Sequence, residues 1–186
     1  MKRSQILKVS LAALLAFAIC TPGFSLKLGG KEMVKNGAGS RTRLFIKVYY
    51  ATLFVPQELK GAGDSKIIES DQPMAISIYI TSSKVTKDKF VEAIADAFDQ
   101  SAKAGYATGD KQAYIDAFKN VTISEGDSVN NNFDGKAMKV EFYSKARNTN
   151  TTLAIIKGLQ FKKGFFGIFL SSKPIQDSLK ANLLGK

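Results

Sequence analysis

Between Arg43 and Val55 the chain reads RLFIKVYYATLFV, with β-branched and aromatic residues in both alternating sets. In an extended strand Leu44, Ile46, Val48, Tyr50 and Phe54 share one face. Phe45, Tyr49, Ala51, Leu53 and Val55 share the other, with Lys47 among them, and Pro56 stops the run. A strand that is apolar on both faces needs cover on both faces. The segment therefore predicts one long strand in a sheet with something packed on each side.

The rest of the pattern supplies partners for that strand. Met74–Ile80, MAISIYI, alternates, with Met74, Ile76, Ile78 and Ile80 on one face. From Thr86 to Lys103 the period changes. Phe90, Ile94 and Phe98 are spaced by four with Val91 and Ala95 beside them, which is one stripe of an amphipathic helix. Thr86 suits its N-cap, Asp88 its first turn, and Gly105 its end. Asp110–Lys119 reads as a second helix, with Tyr114 and Phe118 four apart. Asp127–Gly135, DSVNNNFDG, reads as a turn-rich link whose Asp134-Gly135 suits a hairpin. Ala137–Tyr143 alternates again, and Thr151–Ile156 can return beside it after the polar turn Asn148–Asn150. Phe161–Leu170 and Pro174–Leu184 close the chain, with Pro174 in the first turn of the last helix. Strands, helices, strands and helices in that order predict an α+β fold, an antiparallel sheet with helices grouped on it.

The N-terminus reads as a leader. Lys2, Arg3 and Lys8 precede the apolar run Val9–Cys20, and Gly23 and Ser25 are small residues placed for cleavage after Ser25. The run is short of the ~20 residues a membrane span needs. Ile19 is large for the residue before a lipid-modified Cys20. Met1–Ser25 is thus expected to be a signal peptide and Leu26–Lys186 a single exported domain, periplasmic in a Gram-negative bacterium. The leader would take three of the 27 Lys and Arg and none of the 16 Asp and Glu, so the domain stays strongly basic. That charge favours anionic ligands and allows peripheral contact with an anionic membrane surface. The lysines are scattered along the chain, which disfavours nucleic acid. With no His there is no Ser-His-Asp or Cys-His system and no imidazole metal site, and the lone Cys20 would leave with the leader. No metal and no cofactor are expected. Haem iron would need Tyr, Met or Lys as its axial ligand.

Candidate chemistry is sparse. The most distinctive piece is Asn36-Gly37-Ala38-Gly39-Ser40-Arg41, read as a Gly-x-Gly turn that delivers Arg41 to the start of the long strand. A guanidinium there would suit a carboxylate or a phenolate. Turn statistics alone allow a tight turn with an exposed Arg. The piece is not a dinucleotide fingerprint, because the third Gly and the following helix are missing.

Four segments, NGAGSR, FIKVYYATLFVP, SSKVTKDKFVEAI and FFGIFLSSKPIQDSLKANLLG, resemble chalcone isomerase-like proteins, more narrowly the exported bacterial branch. They run in the family's order from Asn36 to Gly185. The resemblance implies a long-stranded antiparallel sheet with helices packed on one face and a ligand cleft between them. Plant enzymes of the family close a chalcone into a flavanone by adding a phenolate to an enone. Other relatives bind fatty acids, and some fungal ones bind haem, so the fold does not fix the function.

Carried over residue by residue, the family's Arg of the GAGxR motif, which holds an anionic oxygen, matches Arg41. A Thr of the next strand falls on Tyr49, a bulkier hydroxyl. The Lys of the enzymes' Tyr-x-x-Lys pair matches Lys84, but the Tyr is replaced by Thr81, and Asp88 stands where the enzymes have Asn. Ring closure needs a held phenolate, a polarised carbonyl and a placed donor or water, and the missing Tyr removes the last of these. Arg41, Tyr49 and Lys84 then form a ligand-binding corner without catalytic residues. The expected function is non-catalytic binding of an anionic hydrophobic molecule, a fatty acid or an aromatic acid. The alternatives are an intramolecular lyase of the chalcone isomerase type, or a structural role in which Arg41 and Lys84 pair with acids such as Asp88.

Overall fold

The computed structural model describes residues 26–186. The expected signal peptide, with Cys20, lies outside the described residues.

Seven strands run β1 Leu26–Leu28, β2 Lys31–Arg43, β3 Ile46–Pro56, β4 Met74–Ile80, β5 Ser128–Phe133, β6 Ala137–Ser144 and β7 Thr149–Lys157. They form one curled antiparallel sheet in the order of the sequence. Among the described residues five α-helices accompany it: α1 Asp64–Glu69, α2 Lys87–Lys103, α3 Lys111–Asp116, α4 Leu159–Leu170 and α5 Asp177–Leu183. The α+β sheet with helices on one face is thus present.

Register explains which face the helices cover. Tyr49 pairs with Ile80, Ala51 with Ile78 and Leu53 with Ile76. Across β5 and β6 the same face carries Val129, Phe133, Val140 and Phe142, all buried. The opposite face carries Tyr50 against Tyr79 and Thr52 against Ser77, each half-buried. Here Ser77 donates to Asn130 Oδ1 at 2.6 Å and Asn132 donates to Glu141 Oε2 at 2.8 Å. This corrects the expectation of cover on both sides. Cross-strand neighbours shield Tyr50 and Phe54 partway, and no second layer is needed.

The long apolar run is also not one strand. Arg43 pairs with Ile46, and Leu44 and Phe45 make a two-residue turn with φ of 47° and 67°. Asn-Gly usually fills such a turn. Two bulky side chains in the left-handed region cost about 1–2 kcal/mol each.

Asn36–Arg41 is likewise a correction. It is not a turn but the middle of β2. Its glycines serve close approach instead. A Cβ on Gly37 would collide with the carbonyls of Asn182 and Leu183, and one on Gly39 would lie 2.7 Å from Asn182 Cβ. The end of α5 rests on this strand, and Asn36 donates to Leu183 O at 2.8 Å. Two further readings change. Ser128–Phe133 is a strand rather than a link, and α5 begins at Asp177, after Pro174. The amphipathic stripe holds: α2 starts after Thr86, whose hydroxyl accepts from Lys89 N, and buries Phe90, Ile94 and Phe98.

Helix α4 is the hub of the helical layer. Phe161, Phe165, Phe166 and Phe169 are fully buried on it, and Phe165 lies 5.3 Å from Tyr114 between ring centroids. Gly167 lets Ser101 of α2 close in, and the Ser101 hydroxyl donates to Gly164 O at 2.8 Å.

Candidate functional site

A cleft of about 450 Å³ opens between the β2–β3 hairpin and the N-terminal half of α2, within the range of small-molecule sites. Helix α2 supplies an apolar wall of Phe90, Ala93 and Ile94, continued by Val85 from the segment before it. The hairpin supplies the other wall. Arg41 on β2 pairs in register with Tyr49 on β3, and the next rung is Thr42 with Lys47. Val48 is therefore the extra residue of a β-bulge. A bulge re-aims side chains, and both Val48 and Tyr49 line the cleft.

The structure brings Arg41, Tyr49 and Lys84 to this one cleft, from β2, β3 and the loop ahead of α2. Arg41 is half-buried, and its guanidinium carbon lies 5.9 Å from the Tyr49 ring centroid. Among the described residues neither Arg41 nor Lys84 forms an ion pair. Asp88 pairs with Lys87 at 3.4 Å instead, so the pairing with Asp88 that a structural role would use is not formed. Lys84 is exposed at the rim with Arg43 and Lys89.

Tyr49 is 4% exposed, and among the described residues its hydroxyl has no hydrogen-bond partner of normal geometry, although the Arg41 guanidinium lies close to it. Burial pushes its pKa above the usual 10, and the Arg41 guanidinium offsets this only in part. The group is a neutral phenol that can donate and accept. A buried hydroxyl without a partner costs about 1–3 kcal/mol, which a ligand oxygen or a water reaching it would recover. In the buried core, Tyr114 donates to Asn131 Oδ1 at 3.0 Å and Asn131 donates to Ile76 O at 3.2 Å. Among the described residues the Tyr49 hydroxyl is the buried side-chain polar group left without a partner.

Thr81, in place of the enzymes' Tyr, donates its hydroxyl to Lys47 O at 3.0 Å. It does not line the cleft. Sequence reasoning missed the α2 wall as a wall. Phe90 and Ile94 read as core and serve both purposes, whereas Ala93 lies off the apolar stripe and carried no signal. Glu92 at the rim was missed as well. Among the described residues no cluster of His, Cys, Asp or Glu could hold a metal, and no helix is long and apolar enough to cross a membrane.

Comparison with known proteins places this geometry. Residues 20–185 match the sequence profile of the family described as chalcone isomerase-like. None of the curated proteins matches the chain. Among solved structures, the fatty-acid binding protein AtFAP1 of Arabidopsis thaliana is similar to it. The TM-score is 0.63 at 15% identity, over 82% of this chain and 86% of that one. At that identity the likeness speaks for the fold alone. The profile match spans nearly the whole chain, and with the seven-stranded sheet and the Arg41 cleft it shows that this protein belongs to the chalcone isomerase-like family.

Proposed function

We propose that this protein is a non-catalytic binder of an anionic hydrophobic molecule, a fatty acid or an aromatic acid. On this reading it acts outside the cytoplasm after cleavage following Ser25, as in the exported bacterial branch of the family. One observation carries the binding reading: Arg41, with no ion-pair partner among the described residues, stands beside the unpartnered Tyr49 hydroxyl in a cleft with an apolar wall and charged residues at its rim. A carboxylate would accept from both while its hydrocarbon part lies against Phe90, Ala93 and Ile94. The fatty-acid binding named for the similar Arabidopsis protein supports the same class of ligand.

The test is displacement of a fluorescent fatty acid from wild type, Arg41→Ala and Arg41→Lys. A charge-assisted hydrogen bond is worth about 1.5–3 kcal/mol, so Arg41→Ala should weaken a long-chain carboxylate about tenfold or more. Arg41→Lys should recover part, because a point charge does not reproduce the planar fork. The matching alcohol should bind all three alike. Equal carboxylate affinities in three folded proteins would place the ligand elsewhere or nowhere.

No chalcone isomerase turnover is expected, because Thr81 stands where the enzymes have Tyr and its hydroxyl is engaged with Lys47 O, while Tyr49 crowds the position of the enzymes' Thr. The measurement is loss of 2′-hydroxychalcone absorbance above the spontaneous rate. Saturable turnover abolished by Arg41→Ala would replace binding by catalysis as the function.

A further inference from the structure

The β2–β3 turn presents Leu44 at 83% and Phe45 at 100% exposure, with Ile46 at 43% behind them. Both turn residues hold positive φ, where bulky apolar side chains are disfavoured. The fold gains nothing evident from either feature. Asn-Gly would relieve the backbone and the exposure together.

The surroundings are cationic. Arg41, Arg43, Lys47, Lys84, Lys87 and Lys89 lie on the hairpin end and on the segment that opens α2, against the carboxylates Asp88 and Glu92. Of these six, only Lys87 forms an ion pair among the described residues. They share one end of the molecule. The β3–β4 ladder ends at Tyr49 and Ile80, followed by the bond from Thr81 N to Val48 O, so the hairpin tip projects beyond it. The chain leaving β4 at that end enters the N-terminus of α2, whose dipole adds to the positive field.

We infer that the Leu44–Phe45 tip is a membrane-docking wedge. The two side chains enter the interfacial layer of an anionic bilayer while the surrounding Lys and Arg meet its headgroups. An apolar tip ringed by cations has the chemistry of an interfacial anchor, and charge complementarity selects an anionic bilayer as the occupant. The cleft mouth is bordered by Leu44 and Ile46, so docking sets it against the lipid surface. On the reading of the cleft proposed above, an acyl chain would then pass between bilayer and cleft without crossing bulk water.

The experiment compares the full chain with Leu44→Asn/Phe45→Gly in sedimentation with vesicles of phosphatidylcholine, with and without phosphatidylglycerol. Wild type should bind the anionic vesicles and release at high salt. The double variant should bind them on the order of 30-fold more weakly or worse, from loss of two large apolar side chains. Its thermal midpoint should equal or exceed that of wild type, because Asn-Gly suits the turn. The chain has no Trp, so Phe45→Trp gives a single reporter whose emission should shift to the blue and be quenched by brominated acyl chains. Equal vesicle binding by wild type and the double variant would overturn the inference. So would a lower midpoint for the variant, which would make the tip a structural element. Self-association lost in the variant, with no vesicle binding by wild type, would make the tip a contact between copies of this chain. No fatty acid enters the vesicle readout, so its failure is distinguishable from failure of the cleft reading.

Discussion

Lys162→Met is expected to lower the stability of the fold by about 2–4 kcal/mol. Lys162 is fully buried on α4, and its ammonium donates to Ile67 O at 2.6 Å, Ile68 O at 2.9 Å and Ser70 O at 2.8 Å. These carbonyls belong to the C-terminal end of α1, where a helix leaves acceptors unpaired. The Phe166 ring lies 4.8 Å from Nζ and adds a cation–π contact. Met keeps the volume and removes every donor. Each carbonyl stranded away from water costs about 1–3 kcal/mol, offset in part by release of the burial cost of the amine itself. The measurement is urea unfolding, with the midpoint shifted and the slope unchanged. A loss under about 1 kcal/mol would mean that α1 opens and water serves its carbonyls. Burial pulls the Lys162 pKa down to about 7 against the opposing charge of Glu69. The unfolded chain, near the usual 10.5, therefore holds this proton more tightly. From this group alone, stability rises as pH climbs from about 7 to about 10.5, and Lys162→Met should remove that rise.

Gly37→Ala should cost about 2–4 kcal/mol, a large effect for one methyl group. The three atoms nearest the added Cβ are all backbone: the carbonyl oxygens of Asn182 and Leu183, and the Leu183 carbonyl carbon at 2.7 Å. Side chains can rotate away, but a helix end can only move as a unit. The end of α5 would have to lift from β2 and give up the Asn36 bond to Leu183 O. Gly109→Ala is the control, because nothing lies within 4 Å of its added methyl. It should be neutral or stabilise by a few tenths of a kcal/mol. Thermal midpoints of the two variants against wild type decide the matter. Gly37→Ala melting with Gly109→Ala would mean that α5 rests on β2 loosely.

Periodicity carried far where one face of one element was at stake. Thr86 and the stripe Phe90, Ile94 and Phe98 specified α2, and alternation specified Met74–Ile80 and, one residue short of the observed strand, Ala137–Tyr143. It failed where the deciding partner was distant. Gly37 and Gly39 looked like turn residues because their cause, the end of α5, is far along the chain. Asn130, Asn131 and Asn132 looked like a loop. Their partners are Ser77, Glu141, Tyr114 and the carbonyl of Ile76, which together accommodate a polar strand. The hairpin inside Arg43–Val55 was hidden because Leu44 and Phe45 carry none of the turn chemistry that marks such bends. Of the site, Arg41, Tyr49 and Lys84 were legible as a set through resemblance, whereas the unpartnered state of the Tyr49 hydroxyl depends on packing alone.

Strand order equal to sequence order has a consequence for the route to the native state. Short loops close cheaply, and closure entropy grows only with the logarithm of loop length. The turns at Leu44–Phe45, after Phe133 and after Ser144 are tight, so β2–β3 and β5–β7 can zip within microseconds. The long excursion lies between β4 and β5, and it carries α2 and α3. Chains rich in such local pairings fold fast for their size. Arg41 therefore comes to face Tyr49 as soon as the first hairpin forms, and one wall of the cleft is laid down before α2 docks to close it.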